Sequence, residues 1–397
     1  MVQRLVLSVA FLIWLQAAAF AQSGPPVDPI VAKQAQLGVA LLQKSAAGKN
    51  RSISPFSVHS GLMLARLGAK GETAKQLDSL LFSSPFSPEL VDTYGKLQAS
   101  IVSESENTQV RIANSIWISD QGAFATEYQK TATDTLKAEA RSLDFLQSEK
   151  ARTTINSWVA EKTKKLIPNL IPKGLLTKDT RATLVNALYF KAPWAEQFKT
   201  SATTNEKFWI NSKDSVNVPM MHITDTLGYY EDKEFQAVMI AYGPPLYHFI
   251  LFVPREHRST GEVAKLLSAD LLAKIWANPS SSSVKLSLPR FKISESANMA
   301  DSLKALGCTQ PFSDNADFSD MTTLPIKISA VQHEAVVAVD EKGTEAAAAT
   351  AVIMAKLAGF VDQAPPKEVT ADRPFAFAII HSQTQAPLFL GIVGDPR

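Results

Sequence analysis

Six histidines and one cysteine are the imidazole and thiol groups this chain offers for acid–base, nucleophilic or metal-binding chemistry. The histidines are His59, His222, His248, His257, His333 and His381. His333-Glu334 begins a zinc-type H-E pair, but no second histidine follows at the required spacing. There is no G-x-S-x-G elbow, no C-x-x-C, and no glycine loop of the Walker or dinucleotide kind. A Ser-His-Asp triad is assembled from distant segments, so its absence is not readable here. No serine sits in a setting that marks it as a nucleophile. Cys308, in LKALGCTQPF, reads as a small buried apolar residue rather than a reactive thiol. No metal site or cofactor site is expected, and the chain does not read as an enzyme. An unrelated secreted hydrolase is the third and weakest functional reading.

The unusual chemistry lies in EKGTEAAAATAVIMAKLAGF, residues 341–360. By propensity its alanines and leucine favour a helix. Yet the stretch before it, IKISAVQHEAVVAVD (326–340), is Val- and Ile-rich with strand character, and Gly343 breaks the chain. Pro365 and Pro366 close it off, and neither a helix interior nor a central strand accepts them. A tract of very small side chains thus hangs between a core strand and a proline stop.

The elements around this tract mix both periods. Ile30–Gln43 and Val58–Leu67 have apolar residues at helical spacing, with broken helical pieces from Leu81 to Val102. Ala151–Ile167 predicts an amphipathic helix with Ile155, Trp158, Val159 and Thr163 on one stripe. Residues 108–119 (TQVRIANSIWIS) read as a strand. Residues 181–194 (RATLVNALYFKAPW) hold a nearly continuous apolar strand, as at the centre of a sheet. From Lys207 onward strands dominate: KFWINS, VNVPMMHI, LGYYED, FQAVMIAY, YHFILFVP, VKLSLPRFKI, RPFAFAIIH and APLFLGIVGD. The Ser280–Ser283 run after Asn278-Pro279 reads as a turn. Helices first and strands later predict an α+β fold.

The chain has 397 residues and a formal net charge of +2. Such near-neutrality gives no reason to expect nucleic acid or membrane as a partner. The run KTKK, with Lys162, Lys164 and Lys165, reads as a solvated helix face. Arg4, an apolar run and Ala19-Phe20-Ala21 read as a secretory signal over 1–21, cleaved after Ala21. Export predicts a secreted or extracellular protein, or a periplasmic one in a bacterium. With one cysteine, no intrachain disulfide is possible. Asn50-Arg51-Ser52 is the only usable glycosylation pattern. One domain is expected over 29–397.

These segments resemble one family. EKGTEAAAAT is similar to the hinge of serpins, the serine-protease-inhibitor fold: Glu341, Gly343, Thr344, Ala346, Ala347, Ala348, Ala349 and Thr350 match it in turn. SISPFSVHSGLMLARLGAKGET (52–73), INSWVAEKTKKLIPNLI (155–171), LVNALYFKAPWAEQF (184–198), VPMM (218–221), LPRFKIS (288–294), HEAVVAVDEKGTEA (333–346), DRPFAF (372–377) and APLFLGIVGDP (386–396) follow in serpin order. The resemblance implies three β-sheets with about nine helices, and an exposed reactive centre loop within 341–366. It implies a monomeric suicide inhibitor. A serine protease, with papain-like cysteine proteases as a further class, cuts the loop and is trapped in a covalent 1:1 complex as residues 344–355 insert as a strand.

Insertion explains the small residues. Side chains alternate faces along a strand. Thr344, Ala346, Ala348, Thr350, Val352 and Met354 would face the core, and Glu345, Ala347, Ala349, Ala351, Ile353 and Ala355 the other side. The core set carries no charge. By the same resemblance Ser54, Ser57, Asn186 and His333 match the shutter beneath the parting strands. Trp194 matches the breach aromatic where insertion begins, and Arg290 is placed to pair with Glu341. Fourteen residues past Gly343 lies the bond Leu357-Ala358, which suits a chymotrypsin- or elastase-like protease. Phe360 and Lys356 are the alternatives, the latter suiting a trypsin-like enzyme. A non-inhibitory serpin, acting as a binding or carrier protein or a chaperone, is the second reading.

Overall fold

The structure is a computed structural model that describes residues 27–44, 50–244, 246–344 and 365–397. Nine α-helices lie among the described residues. They are α1 (Pro29–Lys44), α2 (Pro55–Leu67), α3 (Gly71–Leu81), α4 (Pro88–Ile101), α5 (Thr126–Asp134), α6 (Ser148–Lys162), α7 (Thr260–Leu266), α8 (Ala269–Ala277) and α9 (Ala300–Ala305). With the sheets below they make an α+β fold.

The first sheet is built on β5 (Ala182–Pro193), whose residues are all buried except Lys191. That continuous burial is what its unbroken apolar sequence requires of a central strand. On one side lie β3 (Gln109–Ser119), β2 (Ser103–Glu104) and β4 (Glu139–Leu143); on the other lie β12 (Ile328–Asp340) and β11 (Phe291–Asn298). β5 and β12 run parallel and pair from Ala182 opposite Ile328 to Leu188 opposite Ala335. Beyond that they part, and β13 (Gly343–Thr344) sits between them, antiparallel to both.

Nine further strands form one hydrogen-bonded set that divides at β7 (Ser215–Glu231). Residues 215–220 of β7 pair with β6 (Thr204–Trp209), and residues 220–229 pair with β10 (Ser280–Pro289), which carries β14 (Lys367–Thr370). Only residues 228–231 of β7 reach β8 (Phe235–Ala241). From β8 a second group continues through β9 (Tyr247–Pro254), β15 (Phe375–His381), β16 (Pro387–Val393) and β1 (Asn50–Ile53). So divided, the molecule has three sheets.

Helix α6 lays Ile155, Trp158 and Val159 on the outer face of the first sheet, against Trp117, Val185 and Val336. It ends before the predicted Ile167, because Lys164 and Lys165 take left-handed φ of 54° and 66° and turn the chain back. The Ser280–Ser283 run is strand, not turn: it pairs with Thr226–Tyr229, where the ladder outweighs the low strand propensity of serine. The single run VKLSLPRFKI breaks at Arg290 into two strands of different sheets, since Pro289 lacks the N–H to continue its ladder. Helices α7, α8 and α9 lie within the half where strands dominate. Asn50 of the sequon is tied to the C-terminal segment: its amide donates to Asp395 O at 2.6 Å and accepts from the N–H groups of Gly394 and Asp395 at 2.9 Å. Cys308 is buried, which pushes its thiol up to about 12.

Candidate functional site: a half-open slot in the first sheet

The slot begins at a tight turn. Asp340 Oδ1 accepts the N–H groups of Lys342 at 2.8 Å and Gly343 at 3.2 Å, which reverses the chain after β12. Gly343 has φ +149°, and a Cβ there would fall 2.2 Å from the Ala192 carbonyl oxygen. Only glycine fits, on both conformational and steric grounds. Thr344 follows and is fully buried. Opposite it stand Ala192 on β5 and Val339 on β12.

Side chains clasp this head of the slot. Arg290, at the corner between β10 and β11, grips Glu341 with both Nε (2.7 Å to Oε2) and Nη2. Thr203 donates to the same carboxylate. Burial alone raises the pKa of Glu341, but the bonds from Arg290 and Thr203 outweigh it and hold the carboxyl below its usual value. The Trp194 indole donates to Asp340 O at 2.8 Å, and its backbone N–H donates to Lys342 O at 2.9 Å. Phe198 N–H donates to Glu341 O at 3.0 Å. The Trp194 ring stacks on Tyr242 with centroids 4.5 Å apart. Tyr242 in turn shares a 2.6 Å hydrogen bond with the Thr344 hydroxyl.

Lower down, where β5 and β12 pair directly, one polar knot lies beneath them. Ser54 caps α2, accepting the Ser57 N–H at 3.1 Å, and Pro55 takes the first helical position. The Ser54 N–H donates to His333 Nε2 at 3.1 Å, so that nitrogen must be an acceptor. The proton therefore resides on Nδ1, which donates to Asn186 Oδ1 at 2.6 Å. Ser57 Oγ reaches the same oxygen at 3.4 Å. All four residues are fully buried. Burial holds the His333 imidazole neutral, with its pKa down to about 3. Gly61 makes room for the knot, since a Cβ there would come 2.8 Å from Asn186 Nδ2.

The structure thus brings Ser54, Ser57, Asn186 and His333 into one cluster, and Glu341, Gly343, Thr344, Trp194 and Arg290 into another. Ala346 to Thr350, and the candidate bait residues Lys356, Leu357, Ala358 and Phe360, lie outside the described residues. Nothing in the sequence marks Tyr242, Thr203 or Gly61. The only available signal is that Tyr242 ends an apolar strand run as Trp194 ends another, and the two form an isolated bridge.

A family described as Serpin (serine protease inhibitor) matches residues 32–396. Leukocyte elastase inhibitor from Homo sapiens is 36% identical over 91% of this chain and 96% of its own length; that from Bos taurus is 35% identical over the same shares. Among solved structures, human thyroxine-binding globulin in complex with thyroxine superposes with a TM-score of 0.83 at 27% identity, covering 92% of this chain and 98% of its own.

These relatives correct the expected localisation. The leukocyte elastase inhibitors are intracellular serpins, which overturns the expectation of a secreted, extracellular or periplasmic protein. A basic, apolar and small-residue pattern at the N-terminus is short and satisfied by composition alone, whereas the similarity runs through the whole described core. Residues 1–21 themselves lie outside the described residues. Serpins act on proteases as inhibitors or serve in binding, and are not catalysts. With the family match from residue 32 to residue 396 and a relative 36% identical across nine-tenths of the chain, this protein belongs to the serpin family.

Proposed function

We propose that this serpin is a suicide-substrate inhibitor of a chymotrypsin- or elastase-like serine protease, trapping the enzyme by strand insertion into the half-open slot. One observation carries this reading: β13 already occupies the head of the slot, in register with both flanking strands. Continued along β5, that register sets residue 354 opposite Ala182, the first residue of β5. Continued along β12, it sets residue 355 opposite Ile328, the first residue of β12. The slot is therefore as long as the segment 344–355.

In an inserted strand that kept this register, Thr350 would stand opposite Asn186 on one side and His333 on the other. A hydroxyl arriving there can replace the His333–Asn186 hydrogen bond that the entering strand must break. Glu345 would then fall opposite Lys191, the one β5 residue with partial exposure, so the only charge in residues 344–355 would land on the outer face beside an opposite charge. Each new ladder bond contributes about 0.5–1.5 kcal/mol net, so residues 345–354 supply on the order of 10 kcal/mol. That is comparable with a whole domain's stability, and the uninserted form is then held by kinetics. Leu357-Ala358 is the proposed scissile bond, with Phe360 and then Lys356 behind it. The roles of the shutter and breach residues rest on the same reading.

A carrier role is the second reading, favoured by the likeness to thyroxine-binding globulin. The run Ala346–Ala349, with no bulk, charge or proline, favours insertion instead. Incubation with chymotrypsin, pancreatic elastase and trypsin, read on a denaturing gel, decides. A stable band at the summed mass, with mass spectrometry giving a new C-terminus at Leu357, is the expected result. Clean cleavage with no such band would hand the lead to the carrier reading.

A further inference from the structure

A second polar cluster lies beside the clasp. Glu206 on β6, His222 on β7 and Ser287 on β10 form a side-chain relay across three strands. His222 Nε2 lies 2.7 Å from Glu206 Oε1, and its Nδ1 lies 3.0 Å from Ser287 Oγ. A carboxylate only accepts, so Nε2 carries a proton in either charge state of the ring. The Ser287 hydroxyl donates to a bare Nδ1 and accepts from a protonated one. Charging the ring therefore adds an ion pair and breaks no bond. Glu206 stays ionised in mild acid. The Thr204 hydroxyl, 2.6 Å from the same oxygen, and then His222 hold its carboxyl below the usual value against partial desolvation. The His222 and Glu206 side chains are 31% and 40% exposed, so protons reach them. Among the described residues, the other charges on this face are Lys285 of β10 and Glu368 of β14, which bond to each other at 2.9 Å. Beside Ser287, β14 presents the uncharged Thr370. On either side of His222, β7 presents Met220 and Thr224 to the same face. Asn205 and Lys207 point to the other face of β6, and the turn Thr200–Ala202 packed against β7 carries no charge.

We propose that this relay positions the clasp: it holds Thr203 and Arg290 in place on Glu341, and holds them more firmly when His222 is charged. The reason is where the three strands meet. Met220 of β7 stands between Thr204 of β6 and Pro289 of β10. Glu206 lies three residues after Thr203, and Ser287 lies three residues before Arg290. Thr203 and Arg290 are the two side chains that bond the Glu341 carboxylate. Arg290 is tied to β7 as well, since its N–H donates to Pro219 O at 2.9 Å. One ring that holds β6 and β10 together thus limits the separation of the two strands that carry the partners of Glu341. Histidine is the side chain whose charge ordinarily changes between pH 8 and 5. Acidification over that range adds the charge, firms the grip and slows release of the hinge. The pair is partly exposed, so the effect is a few-fold rather than an on–off switch. His222 bonds neither the hinge nor a strand of the slot, and acts only through Glu206 and Ser287.

Control of hinge release rests on the proposed inhibitory function, whereas the relay does not, and the test separates the two. Hydrogen exchange of the full chain is followed by mass spectrometry at pH 8 and pH 5.5 in the parent, His222→Gln and Glu206→Gln. The peptides read are those containing Trp194 and Phe198, whose N–H groups bond Lys342 O and Glu341 O. Variant and parent are compared at one pH, so intrinsic exchange and the acid effect of His333 cancel. Expected is exchange about threefold faster in both variants at pH 5.5, and no difference at pH 8. The same ratio at both pH values would overturn the dependence on charge. No difference at either would overturn the relay. The rate of gel-stable complex formation with elastase is then compared between the parent and His222→Gln at each pH. A parent about threefold slower than the variant at pH 5.5, and equal to it at pH 8, supports control of release. Equal rates at both would overturn that control and leave a relay that only stiffens the clasp. If no complex forms with any protease, the inhibitory reading has failed and the control with it, and the exchange still decides the relay.

Discussion

The upper and lower parts of the slot are closed by different means. At the top, β13 contributes only Gly343 and Thr344 among the described residues, and side chains reinforce the closure: Arg290 and Thr203 on Glu341, Trp194 on Asp340, Tyr242 on Thr344. Below, β5 and β12 bond directly to each other in a parallel register that slips once, between Ile328 and Ala330, with a buried side-chain knot at His333. Backbone ladders are interchangeable, since an entering strand offers each donor and acceptor the same chemistry. Side-chain clasps are not, because each must find its own replacement. The contrast teaches where insertion is controlled: at the clasp that releases the hinge, and at His333, where one polar bond must be exchanged in a dry interior.

The largest effect should come from spoiling the entry itself. Thr344→Arg places a guanidinium in a position with no exposure, against Tyr242, where burying an unpaired charge costs several kcal/mol. Elastase should still cut the loop, but the trapped band on the gel should be lost. A full yield of complex from this variant would break the distinction between an entry that insertion must use and the ladder below it.

Acid should act on the lower part. The folded pKa of His333 lies near 3 and its ordinary value is 6.5, so the unfolded chain takes up the proton first. Its share of stability is whole above pH 6.5 and is lost as the pH falls toward 3. The slope is up to about 1.4 kcal/mol per pH unit for one proton. His59, held down to about 4 by burial, contributes in the same sense. Equilibrium unfolding between pH 6.5 and 5 should show a slope of this sign, and His333→Gln, which cannot take the proton, should flatten it. An unchanged slope would mean that the knot is not where acid acts.

The clasp at the top should respond to loss of charge. Glu341→Gln should lower native stability by about 2 kcal/mol, the scale of a hydrogen bond to a charged group. Arg290 is 41% exposed, so solvent screens part of the loss. Denaturant unfolding checks it, and no change would deny the clasp its proposed weight. The smallest effect concerns the outer face. Lys191→Glu sets like charges opposite Glu345 in the inserted strand, worth about 0.5 kcal/mol across a strand pair. Complex formation should slow about twofold, and a rate equal to that of the parent would question the register.

How far this was legible in the sequence differs along the slot. β5 and β12 could be read because strands buried on both faces must be apolar throughout, and their sequences are. The turn at Gly343 could be read because only glycine tolerates its geometry. The Arg290–Glu341 pair came from resemblance alone, since the residues lie far apart in sequence. Ser280–Ser283 was misread because its strand is imposed by β7 rather than by its own side chains. Tyr242 was invisible because its role depends on one hydroxyl meeting Thr344, a contact that composition and periodicity do not encode.

The most direct measurement is the thermal stability of the protein before and after cutting within residues 356–360. If the freed segment fills the slot, about 10 kcal/mol of new ladder should raise the melting temperature by roughly 10 °C or more. A cut protein that melts at or below the temperature of the intact one would contradict insertion, and the inhibitory mechanism with it.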